Sequence, residues 1–122
     1  MFRLMVEKRT ILGLTEKISV YGPKEKEQVV ARIDTGATAS SIDLKLSAKL
    51  GLGPITRTKV VKSASGSKLR PMIRVRVNIG GEEMEEDFSI ADREHMTYSV
   101  LIGQNILKKG KFLIDPCKGL EK

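Results

Sequence analysis

The chain has 122 residues, with 22 Lys+Arg against 15 Asp+Glu and a formal charge of +7, the size of one domain with no room for two. A 40% apolar content supplies one modest core and argues against intrinsic disorder, while 4% aromatics and no Trp leave aliphatic side chains to fill it. One histidine, His95, and one cysteine, Cys117, exclude an intramolecular disulfide framework, a structural zinc site of the Cys/His type and any site built on two imidazoles.

The opening stretch, residues 1–9, mixes acidic and basic residues close behind a very short apolar run, unlike a signal peptide. No apolar run approaches the roughly 18 residues of a bilayer span. The expectation is a soluble cytoplasmic protein without membrane contact, and the lone cysteine points to a reducing compartment. Residues 10–20 read as strand material with a bend at Gly13, and residues 21–27 as a charged turn. Residues 28–33 (QVVARI) form a β-type run that leads straight into Asp34-Thr35-Gly36-Ala37.

From Ile42 to Leu50 the period changes. Asp43 is placed to N-cap a short helix and Gly51 to stop it. A hairpin follows, with a β-branched run at residues 59–62, a small polar tip of Ser63, Ala64, Ser65, Gly66 and Ser67, and a return through residues 69–71. The clearest hairpin joins residues 73–79 to 82–90 through Gly80-Gly81, a pair able to take the positive φ of a two-residue turn. That turn predicts Arg76 opposite Glu85, Arg74 opposite Asp87, Val77 opposite Met84 and Ile73 opposite Phe88. The acidic run at residues 82–87 then serves as cross-strand partners of Arg74 and Arg76 rather than as a metal site. Glu86 opposite Val75 breaks the pattern, which predicts that the middle of this hairpin projects from the body. Residues 98–102 form an apolar strand reaching Gly103. A helical turn at residues 104–109 stops at Gly110, and a last strand at 111–115 ends at Pro116. The fold class is therefore mostly β, with one or two short helices.

The positive charge raises the question of nucleic acid. The aromatics, Phe2, Tyr21, Phe88, Tyr98 and Phe112, are scattered rather than interleaved with Lys and Arg, so the sequence shows no stacking platform. A basic nucleic-acid-binding β-barrel is the least favoured reading. His95 reads as a loop residue and Cys117 as structural or incidental.

Asp34-Thr35-Gly36-Ala37 is the motif with a specific chemical reading. At a strand-to-turn junction a carboxylate can face a cleft, with Gly36 letting the backbone turn closely past it. About 65 residues later comes Val100-Leu101-Ile102-Gly103 followed by a helical turn. This order resembles the retropepsin-like aspartic proteases, in which an apolar-apolar-Gly strand threads beside the catalytic loop. The resemblance is strongest to the bacterial and archaeal retropepsin-like family labelled "ATP-dependent zinc protease". It rests on Arg32-Ile33-Asp34-Thr35-Gly36-Ala37, Val61-Lys62-Ser63, Arg70-Pro71, Val100-Leu101-Ile102-Gly103, Leu107 and Phe112-Leu113-Ile114-Asp115-Pro116. This chain lacks a phosphate-cradling Gly-Lys-Ser/Thr loop and the zinc ligands, so neither ATP nor zinc, nor any other cofactor, is expected.

The resemblance implies a closed β-barrel of the acid-protease type spanning residues 1–122 as a single domain. Aspartic proteolysis needs two adjacent carboxylates sharing one proton, because like charges so close cannot both ionise. Asp43, Asp87, Asp92 and Asp115 lack the strand–Thr–Gly setting of Asp34, so the second carboxylate is expected from Asp34 of another copy in a homodimer. By the same resemblance Thr35 cross-braces the two catalytic loops and Ala37 lines the substrate channel. Leu101, Ile102 and Gly103 pack beside the loop, and the hairpin tip Ser63–Ser67 is a flap over the peptide. Lys62, Lys68 and Arg70 near that flap favour an acidic peptide. Relatives often occur with ATP-grasp ligases that add glutamate to proteins, which implies a glutamate-rich substrate. The alternative is the same fold kept as a catalytically weak or inactive dimerisation or peptide-binding module.

Overall fold

The structure, a computed structural model, describes residues 8–63 and 66–119. The predicted tip residues Ala64 and Ser65 and the first seven residues lie outside that range.

Alternation of apolar and polar residues sets the strands. In β2 (Thr15–Tyr21) Ile18 and Val20 are buried on either side of the half-buried Ser19, and in β3 (Lys26–Ile33) Ala31 and Ile33 are buried on either side of the exposed Arg32. Gly13 separates β2 from the short β1 (Ile11–Leu12), at the predicted bend. After the Asp34 loop comes β4 (Ser40–Asp43), and the chain then turns into α1 (Leu44–Leu50). The Asp43 carboxylate accepts from the amides of Lys45 and Leu46, and Gly51 ends the helix in the left-handed conformation at φ 68°. Both boundaries agree with the sequence reading.

β5 (Ile55–Ser63) and the first half of β6 (Gly66–Ile79) form one hairpin, and the second half of β6 pairs with β7 (Glu82–Ala91). At the β6–β7 turn Gly80 and Gly81 have φ of 60° and 83°, the conformation a two-residue turn of this hand demands. The register follows prediction pair for pair: Arg76 faces Glu85, Arg74 faces Asp87, Val77 faces Met84 and Ile73 faces Phe88. The chain ends with β8 (Val100–Ile102), α2 (Gln104–Lys109) and β9 (Leu113–Ile114), which pairs in parallel with β1.

The strands run β2-β3-β8-β4-β7-β6, and β6 returns to pair with β2 through Ser19–Asn78, Val20–Val77 and Tyr21–Arg76. This closes a mixed six-stranded barrel, with β5 left as an outer strand beyond β6. Inside it lie Ile18, Val20, Ile33, Ile42, Val75, Val77, Ile79, Phe88, Val100 and Ile102, capped by Leu12, Ile106 and Phe112.

One expectation is reversed. The β6–β7 hairpin is barrel wall, with Val75 buried, and does not project. Lys109 of α2 reaches Glu86 at 2.9 Å and neutralises the carboxylate that breaks the alternation. The projecting arm is instead β5 with the start of β6, where Gly66 to Leu69 are exposed, Arg70 and Pro71 are half-buried and Met72 is the first buried residue. Among the described residues no helix is long and apolar enough to cross a membrane.

Candidate active site

The barrel places the Asp34 loop by an unusual strand order. β3 and β4 follow each other in sequence but are not neighbours, because β8 lies between them, parallel to β3 and antiparallel to β4. The loop joining β3 to β4 therefore has to pass over the end of β8. Its first residue is tied to that strand by the Asp34 amide, which donates to the Ile102 carbonyl at 2.9 Å. The end of β8 and Gly103 therefore lie beside the loop, at Asp34 and Ala37.

Close packing requires the glycine at the end of β8. A Cβ on Gly103 would sit 2.3 Å from the Ala39 carbonyl oxygen and 2.8 Å from that of Ala37, inside any tolerable contact. The Gly103 amide donates to the Oγ of Ser40 at 2.9 Å. Ser40 is fully buried and donates to Asn105 Oδ1 at 2.8 Å, while Asn105 Nδ2 donates to the Asp87 carbonyl at 2.9 Å. This satisfied buried chain locks β4, β7 and the start of α2 together.

Within the loop, the Gly36 amide donates to Asp34 Oδ1 at 2.9 Å and the Ala37 amide to the Asp34 carbonyl at 3.3 Å. Gln104 grips the loop from α2. Its amide donates to the Ala37 carbonyl at 2.7 Å, and its Nε2 to the Thr35 carbonyl at 2.8 Å. Asp34 is half-buried, and Thr35 and Gly36 are exposed.

A groove of about 560 Å³ begins at Gly36 and Ala37 and runs beneath the β5–β6 arm. The arm contributes its stem, Lys59, Val60, Val61, Lys62 and Arg70. Gly66 and Ser67 are exposed at the arm's end and do not line it, and neither does Lys68. At the level of the backbone, Ser63 pairs with Gly66.

Arg93 completes the groove and is absent from the sequence reading. Its Nε donates to the Tyr98 carbonyl at 3.0 Å, its Nη1 to Ser41 Oγ at 3.1 Å, and its amide to Asp43 Oδ1 at 2.8 Å. Burial, the largest influence, holds Arg93 below the usual arginine range. Asp43 opposes that shift and nearby Arg70 adds to it. Ser40, Gln104 and Asn105 were equally invisible in sequence. Gly-Gln-Asn after a strand signals only a helix start, and a hydrophilic loop such as Asp92-Arg93-Glu94 carries no periodicity. His95 is exposed and outside the groove lining, and Cys117 is exposed.

This architecture matches known structures. The chain is similar to a crystal structure of a protein of unknown function from Legionella pneumophila subsp. pneumophila. That match has a TM-score of 0.64 at 17% identity and covers 90% of this chain and 95% of the other. It is also similar to the solution structure of the simian foamy virus (mac) protease, with a TM-score of 0.56 at 17% identity over 77% of this chain and 91% of the protease. At these identities the likeness establishes the retropepsin-like fold. No curated protein sequence matches the chain. The family described as retropepsin-like aspartic endopeptidase RimB matches residues 45–120, a segment that starts after the Asp34 loop. That match spans more than half of the sequence, and the chain belongs to the RimB-like family of retropepsin-like aspartic endopeptidases.

Proposed function

We propose that this protein is a homodimeric aspartic endopeptidase in which Asp34 of two copies forms the catalytic dyad. Residues 1–122 are read as one domain supplying half of the site. The observation that carries this reading is the Asp34 loop itself. One Asp-Thr-Gly sits at the end of a barrel strand with Oδ1 held by the Gly36 amide, while Oδ2 has no hydrogen bond among the described residues. Across a two-fold axis two such carboxylates share one proton. The ionised one takes a proton from water as the water oxygen bonds to the peptide carbon, and the protonated one donates to the carbonyl oxygen. Collapse of the tetrahedral species then breaks the C–N bond, with a proton passing to the leaving amine. Thr35, exposed on the loop, is assigned the brace between the two copies, and the β5–β6 arm with its tip Ser63–Ser67 the flap.

An acidic, glutamate-rich peptide is the substrate class that the groove favours, since Lys59, Lys62, Arg70 and Arg93 line it. A cytoplasmic setting is in keeping with the single cysteine. The test is Asp34→Asn, which preserves shape and can still accept from the Gly36 amide. We expect peptide cleavage to fall by at least ~10³-fold with melting temperature and dimer mass unchanged. Cleavage at the wild-type rate would overturn the mechanism.

A further inference from the structure

Gln104 is connected to the Asp34 carboxylate through a single peptide group. Its Nε2 donates to the Thr35 carbonyl at 2.8 Å. The N–H on the other side of that same peptide unit belongs to Gly36, and it donates to Asp34 Oδ1 at 2.9 Å. A peptide unit is rigid and planar, with its C=O and N–H pointing in opposite directions, so fixing the oxygen fixes the direction of the N–H. A donor on the carbonyl oxygen also polarises the unit and strengthens its N–H as a donor. The Thr35 oxygen can only accept, so the Nε2 end of the Gln104 carboxamide is the end that faces it.

Gln104 is itself firmly placed. It opens α2, whose Ile106 and Leu107 are buried in the core. The preceding amide, that of Gly103, is fastened to the buried Ser40. The Gln104 amide donates to the Ala37 carbonyl at 2.7 Å, so this one residue holds the loop on both sides of Gly36. We propose that Gln104 is a positioning residue for the catalytic carboxylate, acting through the Thr35–Gly36 peptide group to keep a fixed donor on Asp34 Oδ1. The inference rests on the reading of Asp34 as catalytic.

Two substitutions separate this role from a purely structural one. Gln104→Ala removes the side chain beyond Cβ. Gln104→Glu keeps its length but sets an acceptor against the Thr35 oxygen, while an acidic residue in the first turn of a helix offsets part of the cost to folding. The experiment follows the Gly36 amide shift and the titration of the Asp34 side-chain carboxyl carbon by NMR in the wild-type dimer and both variants. It adds kcat and KM on one peptide and a melting curve for each protein.

In both variants the Gly36 amide proton should move upfield. Losing a good donor disfavours the charged carboxylate, so the apparent Asp34 midpoint should rise by about half a pH unit. We expect kcat to fall roughly five- to tenfold with KM within about twofold. A folded Gln104→Glu variant in which neither the Gly36 shift nor the Asp34 titration moves would overturn the proposal, even if kcat fell. Movement of both signals in a protein that cleaves no peptide would leave the Gln104 linkage standing and remove the catalytic reading instead.

Discussion

Arg93 is a charge placed where water alone does not support it. Its side chain is half-buried, and nearby Arg70 adds to the burial that disfavours its ionisation. Two side-chain hydrogen bonds hold it, and its amide is pinned by Asp43, the residue that also caps α1. Asp43 therefore joins the 92–99 loop to the helix start, and through Arg93 it shapes the groove. Lys59, Lys62 and Arg70 line the same groove against one carboxylate, Asp92. Concave walls concentrate the resulting positive field on whatever enters. On a glutamate-rich peptide at low ionic strength, Arg70→Gln and Arg93→Gln should each raise KM about tenfold. For an uncharged peptide the change should stay within about twofold, and the difference should shrink near 0.5 M salt, where screening is short-ranged. Equal losses on both peptides would mean that these arginines serve the loop rather than the ligand.

At the scale of elements, short-range chemistry was readable from the residues themselves, whereas barrel closure was legible only through the family resemblance. Asp43 and Gly51 bound α1, and Gly80-Gly81 fixes a register that holds across β6 and β7. Neither closure of the barrel by β2 on β6 nor insertion of β8 between β3 and β4 has a local signature, because both depend on strands far apart in the chain. The placement of the projecting arm failed for the same reason. Glu86 looks misplaced until Lys109, 23 residues away, is brought to it. The candidate site divides likewise. The Asp34 loop announces itself as a motif, whereas Ser40, Gln104 and Asn105 act only through contacts that the strand crossing creates. Gly103 is where motif and crossing meet. Gly103→Ala should cost ~2–3 kcal/mol by overpacking against the Ala37 and Ala39 backbone, measured by denaturant unfolding. It should cost activity as well, because the atoms forced to move belong to the loop. A variant as stable and as active as wild type would show that the loop yields without consequence.

For the whole molecule, the count that matters is one Asp-Thr-Gly in 122 residues. If catalysis needs two copies of Asp34, subunit exchange makes the inactive chain an inhibitor. An Asp34→Asn subunit paired with a wild-type one yields a dimer with one functional carboxylate, so only wild-type pairs count. When all chains are dimeric and pair at random, active dimers vary as the square of the wild-type fraction. Adding an equal amount of Asp34→Asn to a fixed amount of wild type doubles the total dimer and leaves about a quarter of it active, so activity falls to about half. A threefold excess brings it to about a quarter by the same mass action. A chain that cleaves as a monomer would show no change at either ratio. Dilution tests the same point from the other side. Activity per chain should fall as the concentration drops below the dimer dissociation constant, and loss of dimer mass should track that fall. Activity that stays proportional to concentration after the mass has halved would put the second carboxylate inside the same chain, where the sequence shows no second Asp-Thr-Gly.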